Sequence, residues 1–219
     1  MRLLLAATLL VIAVTACAEQ QPPLTAETPG QVLFQEQFIA GQTGDWLLEQ
    51  DDLSSAEIAN EQLVLTINQP NTIQFATLQA PVFSDFVVEV DGRQRAGSPD
   101  SSYGVLFRVQ DSQRFYRFSI TSNGLYVIER HNPDGTWTRL TQDWLTSEAI
   151  NQGQNVANRL KVIASGPELT FYVNDILLQQ VTDATYPSGS VALSAGTFGG
   201  SSLQVSFDDL VVYGYEPDS

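Results

Sequence analysis

The sequence predicts an all-β fold, a two-sheet antiparallel sandwich, on three observations. Short alternating segments are rich in β-branched and aromatic residues, turn-forming clusters separate them at close intervals, and no run of ten residues keeps a helical apolar stripe. The strand segments are 63–68 (LVLTIN), 86–95 (FVVEVDGRQR), 103–110 (YGVLFRVQ), 114–121 (RFYRFSIT), 124–130 (GLYVIER), 158–165 (NRLKVIAS), 168–174 (ELTFYVN), 190–196 (SVALSAG) and 204–215 (QVSFDDLVVYGY). The turns fall at Ser122-Asn123-Gly124, Pro133-Asp134-Gly135, Ser165-Gly166-Pro167, Asn174-Asp175 and Pro187-Ser188-Gly189. The best helical candidate is a turn or two at Ser147 to Asn151, with Ser147 as cap.

The last strand breaks its own alternation. Val205 and Phe207 share a face, but Leu210 and Val212 fall on the other unless the Asp208-Asp209 pair forms a bulge. Without a bulge a carboxylate is buried, at a cost of several kcal/mol unless paired. Asp208 and Asp209 are therefore also candidate ligands for a structural calcium, the only cofactor the sequence suggests.

The chain divides into three parts. Met1-Arg2 followed by an apolar or small-residue run, Leu3 to Val14, reads as a signal peptide over residues 1–16; the run is too short for the roughly 20 apolar residues that span a bilayer. Val14-Thr15-Ala16-Cys17 resembles the bacterial lipobox, which implies cleavage before Cys17, acylation of its sulfur with a palmitate-type chain, and a protein held on a membrane without crossing it. Plain secretion, with Ala16-Cys17-Ala18 as the cleavage site, is the alternative. Residues 17–31 are the cysteine and a Gln-, Pro- and Thr-rich tether with one large aliphatic residue, and 32–219 form one domain. The expected location is extracytoplasmic, on the cell membrane or outer membrane.

Charge excludes one class of partner. After Cys17 the side chains comprise 25 acids and 9 bases, a net of −16, which argues against nucleic acid and against electrostatic contact with anionic lipid. Seven arginines against four acids between Arg93 and Arg139 form a local exception. With one His and one Cys, neither a zinc cluster nor a Cys–His pair can be assembled, and His131 sits in a polar turn, RHNPDG.

The series YGVLFRVQDSQRFYRFSIT, GLYVIER, TWTRL, NRLKVIASGPELTFYVND, GSVALSAGT and VSFDDLVVY resembles the concanavalin A-like lectin/glucanase superfamily, and within it the bacterial laminin-G-like and 3-keto-disaccharide hydrolase-like domains. The resemblance implies a jelly roll with adjacent terminal strands and, in many members, glycan bound on one sheet. Retaining glucanases of that superfamily carry Glu-x-Asp-x-x-Glu on one strand. Here Glu89 and Asp91 match as candidate catalytic residues, but Gln94 stands at the acid/base position.

Binding is better supplied than catalysis. Aromatic platforms with a few placed polar groups recognise sugars, and the candidates are Arg93, Arg95, Arg108, Arg117, Tyr116, Tyr126 and Trp137, with Tyr103 beside them and Trp144 on a rim loop. Clustered arginines favour an anionic glycan. The expected function is binding of carbohydrate or another envelope component without catalysis; the alternatives are a glycoside or 3-keto-disaccharide hydrolase and an envelope protein-interaction or structural module.

Overall fold

A computed structural model describes residues 30–200 and 202–215; Cys17, the signal segment and most of the tether lie outside the described residues. Sixteen strands make up the domain: β1 (Val32–Glu36), β2 (Trp46–Leu47), β3 (Ser54–Ala59), β4 (Gln62–Ile67), β5 (Ile73–Leu78), β6 (Phe86–Gly97), β7 (Ser102–Val109), β8 (Phe115–Thr121), β9 (Leu125–His131), β10 (Trp137–Arg139), β11 (Leu145–Thr146), β12 (Ala157–Ser165), β13 (Glu168–Val173), β14 (Ile176–Thr182), β15 (Ser190–Gly196) and β16 (Leu203–Gly214). They form two antiparallel sheets of eight. The first runs β14-β13-β12-β6-β16-β4-β3, with β1 also on β16; the second runs β10-β9-β8-β7-β15-β5-β2, with β11 also on β9. No helix forms among the described residues, and at Ser147 there is only a turn, in which the Ser147 hydroxyl accepts from Ala149 N at 3.2 Å.

Period-2 alternation fixes which side chains enter the core. On β6, Phe86, Val88 and Val90 are fully buried while Glu89, Asp91, Arg93 and Arg95 between them are partly exposed. From the other sheet Val105, Phe107, Phe118, Ile120, Ile128 and Leu193 meet them in one continuous core. Phe107 stacks on Tyr116 with centroids 5.2 Å apart, and Phe171 of β13 packs against Phe107 and Phe118.

The last strand carries the expected bulge. Asp208 pairs with Asp91, the register then slips, and Val211 pairs with Glu89; Asp209 takes the slack at φ 51°. Val205, Phe207, Leu210 and Val212 are consequently all fully buried. The same break lets β16 change partners: β4 flanks it from Leu203 to Phe207, and β1 takes over beside Leu210 to Tyr213.

A buried hydroxyl gives this core a pH limit. Burial pushes Tyr103 up to about 12, against a smaller opposing effect of the 3.1 Å hydrogen bond donated by Asn158. The folded value lies above the ordinary value near 10, so the stabilisation is complete below pH 10 and disappears as pH rises through about 12. The loss is on the order of 3 kcal/mol for this one group. Urea midpoints are expected to drop steeply between about pH 10 and 12, and less steeply in Tyr103→Phe; a pH-independent difference between the two proteins would refute the assignment.

Candidate functional site

The outward side of the second sheet is a trough, and strand register lays out its surface in rows. Ser194, Gly104, Ser119 and Val127 line up across β15, β7, β8 and β9. Two residues further along these strands comes a row of Ala192, Leu106, Arg117, Glu129 and Arg139. A third brings Phe115, His131 and Trp137 side by side. Val127, Ser119, Leu106 and Ala192 are at most 1% exposed although they point away from the core, which is why the face is read as recessed.

Aromatic rings run from Phe75, the β5 neighbour of Ser194, across to the third row. Phe75 lies 6.3 Å from Phe115, Phe115 stacks on His131 at 5.0 Å, and His131 meets Trp137 edge-on at 4.6 Å. The Arg117 guanidinium sits 4.2 Å over the Trp137 ring, a cation–π contact that holds the indole in place. Trp137 is 36% exposed, so its ring is presented to solvent rather than sealed in. At the small-residue end Trp144 precedes Leu145, the partner of Tyr126, so alternation sets Trp144 on the Val127 side. Its ring meets Phe198, just beyond β15, edge to face at 5.8 Å.

Charges in the trough are matched. Arg117 donates through Nε to Glu129 at 3.1 Å and through a second, shorter contact, and both side chains are more than nine-tenths buried. Arg139 Nε lies 3.5 Å from the other Glu129 oxygen and pairs also with Asp143. At the rim the Arg114 guanidinium, then the Gln113 N–H, hold the Asp111 carboxyl below its usual range.

The structure divides the sequence-nominated residues among four places. Arg117 and Trp137 stand together in the trough, with Trp144 at its end. Tyr116 and Tyr126 face the core: the Tyr116 hydroxyl donates to Asp183 at 2.7 Å, and Tyr126 is 5% exposed. Arg108 is fully buried at the sandwich end, donating to the carbonyls of Ser84 at 3.0 Å and Tyr186 at 3.2 Å. Arg93 and Arg95 lie on the outward face of the other sheet, where Arg95 donates to Ser206 at 2.9 Å and Gln62 at 2.8 Å.

Glu89 and Asp91 share that opposite face. Lys161 lies 2.8 Å from Glu89 and Arg159 Nε 2.7 Å from Asp91, so both carboxylates are engaged by cations. Gln94 points the other way and is fully buried, so the third position of the glucanase pattern leaves the face on which the first two stand. Asp208 accepts from Gln62 at 3.4 Å and from Asp209 N at 2.9 Å. Among the described residues no group of three or more His, Cys, Asp or Glu side chains is placed to hold a metal.

Phe75, Phe115 and Arg139 were not nominated by the sequence, and His131 reads there as a turn residue. Phe115 and Arg117 alternate on one segment, which signals a shared face; which aromatic neighbours they meet depends on register alone.

A family model described as the 3-keto-alpha-glucoside-1,2-lyase-like domain matches residues 32–212. No curated protein matches the chain at a significant level. Among solved structures, the carbohydrate-binding module CBM66 from Bacillus subtilis is similar with TM-score 0.64 and 16% identity, covering 81% of this chain and 99% of that one. The catalytic domain of an endo-1,3-beta-glucanase (laminarinase) from Thermotoga petrophila is similar with TM-score 0.61 and 10% identity, over 86% and 98% of the two chains. A protein with a galectin-like fold from Bacillus subtilis aligns with TM-score 0.61 and 11% identity, over 85% and 97%. At these identities the likeness is one of fold, and it bears out the concanavalin A-like jelly roll.

Proposed function

The chain belongs to the 3-keto-alpha-glucoside-1,2-lyase-like domain family, and from that membership and the trough we propose that it is an envelope domain holding a glycan on the outward face of its second sheet, without catalysis. The observation that carries this reading is the Phe115–His131–Trp137 run with Arg117 stacked on its exposed end. The exposed Trp137 ring and the partly exposed His131 offer a surface for sugar C–H groups, with the buried Phe115 ring stacked behind His131, and the exposed Arg139 and Asp143 offer partners for hydroxyls. The fold likeness to a carbohydrate-binding module supports it. Because Arg117 and Arg139 are balanced by Glu129 and Asp143, the proposed ligand is a neutral glycan rather than the anionic one that arginine clustering suggests. Acylated Cys17 would anchor the protein to an extracytoplasmic membrane surface; a mass spectrum of the membrane fraction showing an unmodified thiol would remove that part.

A second reading is elimination across C1–C2 of a 3-keto glucoside, favoured by the family description. It requires a group to take the C2 proton. In the trough, guanidinium groups hold both Glu129 oxygens, and Arg114 and two backbone amides hold Asp111, so His131 is the candidate base within the aromatic run, with Glu49 at the adjoining pocket as the other.

A glycan array probed with the purified full chain, with and without calcium, tests the proposal. Binding to neutral oligosaccharides is expected, falling about tenfold or more in Trp137→Ala, with circular dichroism and the unfolding midpoint checking that the variant is folded at the assay temperature. Turnover of a 3-keto glucoside that His131→Gln abolishes would establish the lyase reading instead. A blank array together with a stoichiometric protein partner from envelope extracts would replace both with an interaction module.

A further inference from the structure

A pocket of about 370 Å3 opens at the end of the trough beside β2 and β5. Leu47, Phe75, Val82, Leu106, Val109 and Phe115 supply its apolar walls. How Val109 comes to be among them is informative. Val105, Phe107 and Val109 have the same parity, so an unbroken β7 would send all three into the core. Instead the register slips at Arg108, which adopts φ 50°: Val191 pairs with Phe107, and Ser190 pairs with Val109. Val109 thereby crosses to the outward face and joins Leu106, Ala192 and Phe115 in an apolar cluster separate from the main core. The buried Arg108 guanidinium, bonded to the Ser84 and Tyr186 carbonyls, holds the bulge from beneath. Arg108 is thus a positioning residue for the pocket.

Bulges of this kind re-aim a side chain at the cost of ladder hydrogen bonds. Here the re-aimed side chain is apolar and lines a recess continuous with the aromatic run, since Phe115 belongs to both. Phe75 and Phe115 frame the recess with ring centroids 6.3 Å apart and planes inclined at 50°. The charged residues of the lining are Glu49 and Asp111; Arg114 balances Asp111, whereas no cation is paired with Glu49 among the described residues. An anion entering the pocket would meet that carboxylate.

Resting on the glycan reading above, we infer that this pocket receives the non-sugar end of the ligand: the protein selects neutral sugars carrying an apolar, uncharged or cationic aglycone such as an aryl ring. The sugar lies on the accessible His131–Trp137 end of the run and the aglycone enters the recess between β2, β5 and β7, past the edge of the buried Phe115.

The test is calorimetric titration of the full chain with matched methyl, 4-nitrophenyl and 4-carboxyphenyl glycosides of glucose, galactose, mannose and xylose in both anomers, with free 4-nitrophenol as control. For whichever sugar binds, the nitrophenyl glycoside is expected to bind about tenfold tighter or more than the methyl glycoside, from the apolar area removed from water. The carboxyphenyl glycoside is expected to lose that gain. Leu47→Ser and Val82→Ser, at exposed positions where folding is not at stake, should shrink the nitrophenyl advantage while methyl-glycoside affinity is kept. Equal affinities for methyl and nitrophenyl glycosides, or undiminished binding of the carboxyphenyl form, would overturn the aglycone pocket and leave the glycan reading intact. If no glycoside of any kind binds, the glycan reading fails and the pocket assignment goes with it.

Discussion

Gly104→Ala is expected to cost about 3 kcal/mol or more of folding stability. Gly104 lies in β7 between β8 and β15, and a Cβ there would come 2.0 Å from the Phe118 carbonyl oxygen and 2.8 Å from Ser119 Cα. Both are backbone atoms of a central strand, so no side-chain rotation relieves the overlap. Either β8 moves away, breaking the ladder that carries Phe118 into the core, or the pair unfolds. Gly135 provides the contrast: it sits at φ 80° in an open turn with nothing within 4 Å of a Cβ. There alanine should cost only about 1–2 kcal/mol, the penalty of the left-handed backbone, and asparagine less. Urea unfolding of the three variants separates the cases; a Gly104→Ala protein as stable as wild type would mean that the two strands are not in such close contact.

Breaking the Arg117–Glu129 pair from its two sides should give unequal losses. Removing one member of a buried ion pair typically costs about 3–5 kcal/mol, because the survivor is left as an uncompensated charge. Glu129→Gln leaves Arg117 in that position, with Arg139 close by as a second cation. Arg117→Met leaves Glu129 still 3.5 Å from Arg139 and should fall at the lower end of the range. The double change Arg117→Met with Glu129→Leu is expected to recover much of either loss, as apolar replacements of whole buried pairs do. Equal effects of the two single variants would show that Arg139 does not share the carboxylate.

Alternation and turn chemistry made most of the fold legible. Nine segments read from the sequence correspond to β4, β6, β7, β8, β9, β12, β13, β15 and β16, because each sends fully buried side chains inward at every second position. β14 was not legible for the opposite reason. It is an edge strand in which no residue is fully buried, so ILLQQVT carries no inward–outward contrast. β5, IQFATL, has apolar residues on both faces, since Ala76 and Leu78 point into the core while Phe75 joins the trough.

The site was less readable than the fold, and one cause is the irregular backbone at Arg108. Parity puts Arg108 outward with Leu106, whereas the bulge turns it under the sheet and brings Val109 out. The other cause is register. Tyr116 and Arg117 are adjacent, so one faces the core and the other the trough, and nothing local in RFYRFSIT says which. Only cross-strand pairing with Glu129 and proximity to Trp137 decide it. Arg93 and Arg95 looked like neighbours of Arg117 in charge and residue type, yet β6 and β8 belong to different sheets.

Gln31 and Gly214 are joined by a backbone hydrogen bond of 2.8 Å, and both adjoin the sheet that does not carry the trough. The first and last described strands thus come together at one end of that sheet, where Gly214 pairs with Phe86. A bead, a chip or a host-protein loop grafted at that point would hold the domain by the sheet that does not carry the aromatic surface. The same geometry makes the domain suitable for insertion into another chain, since a host would need to bridge only a short gap between its own two cut ends.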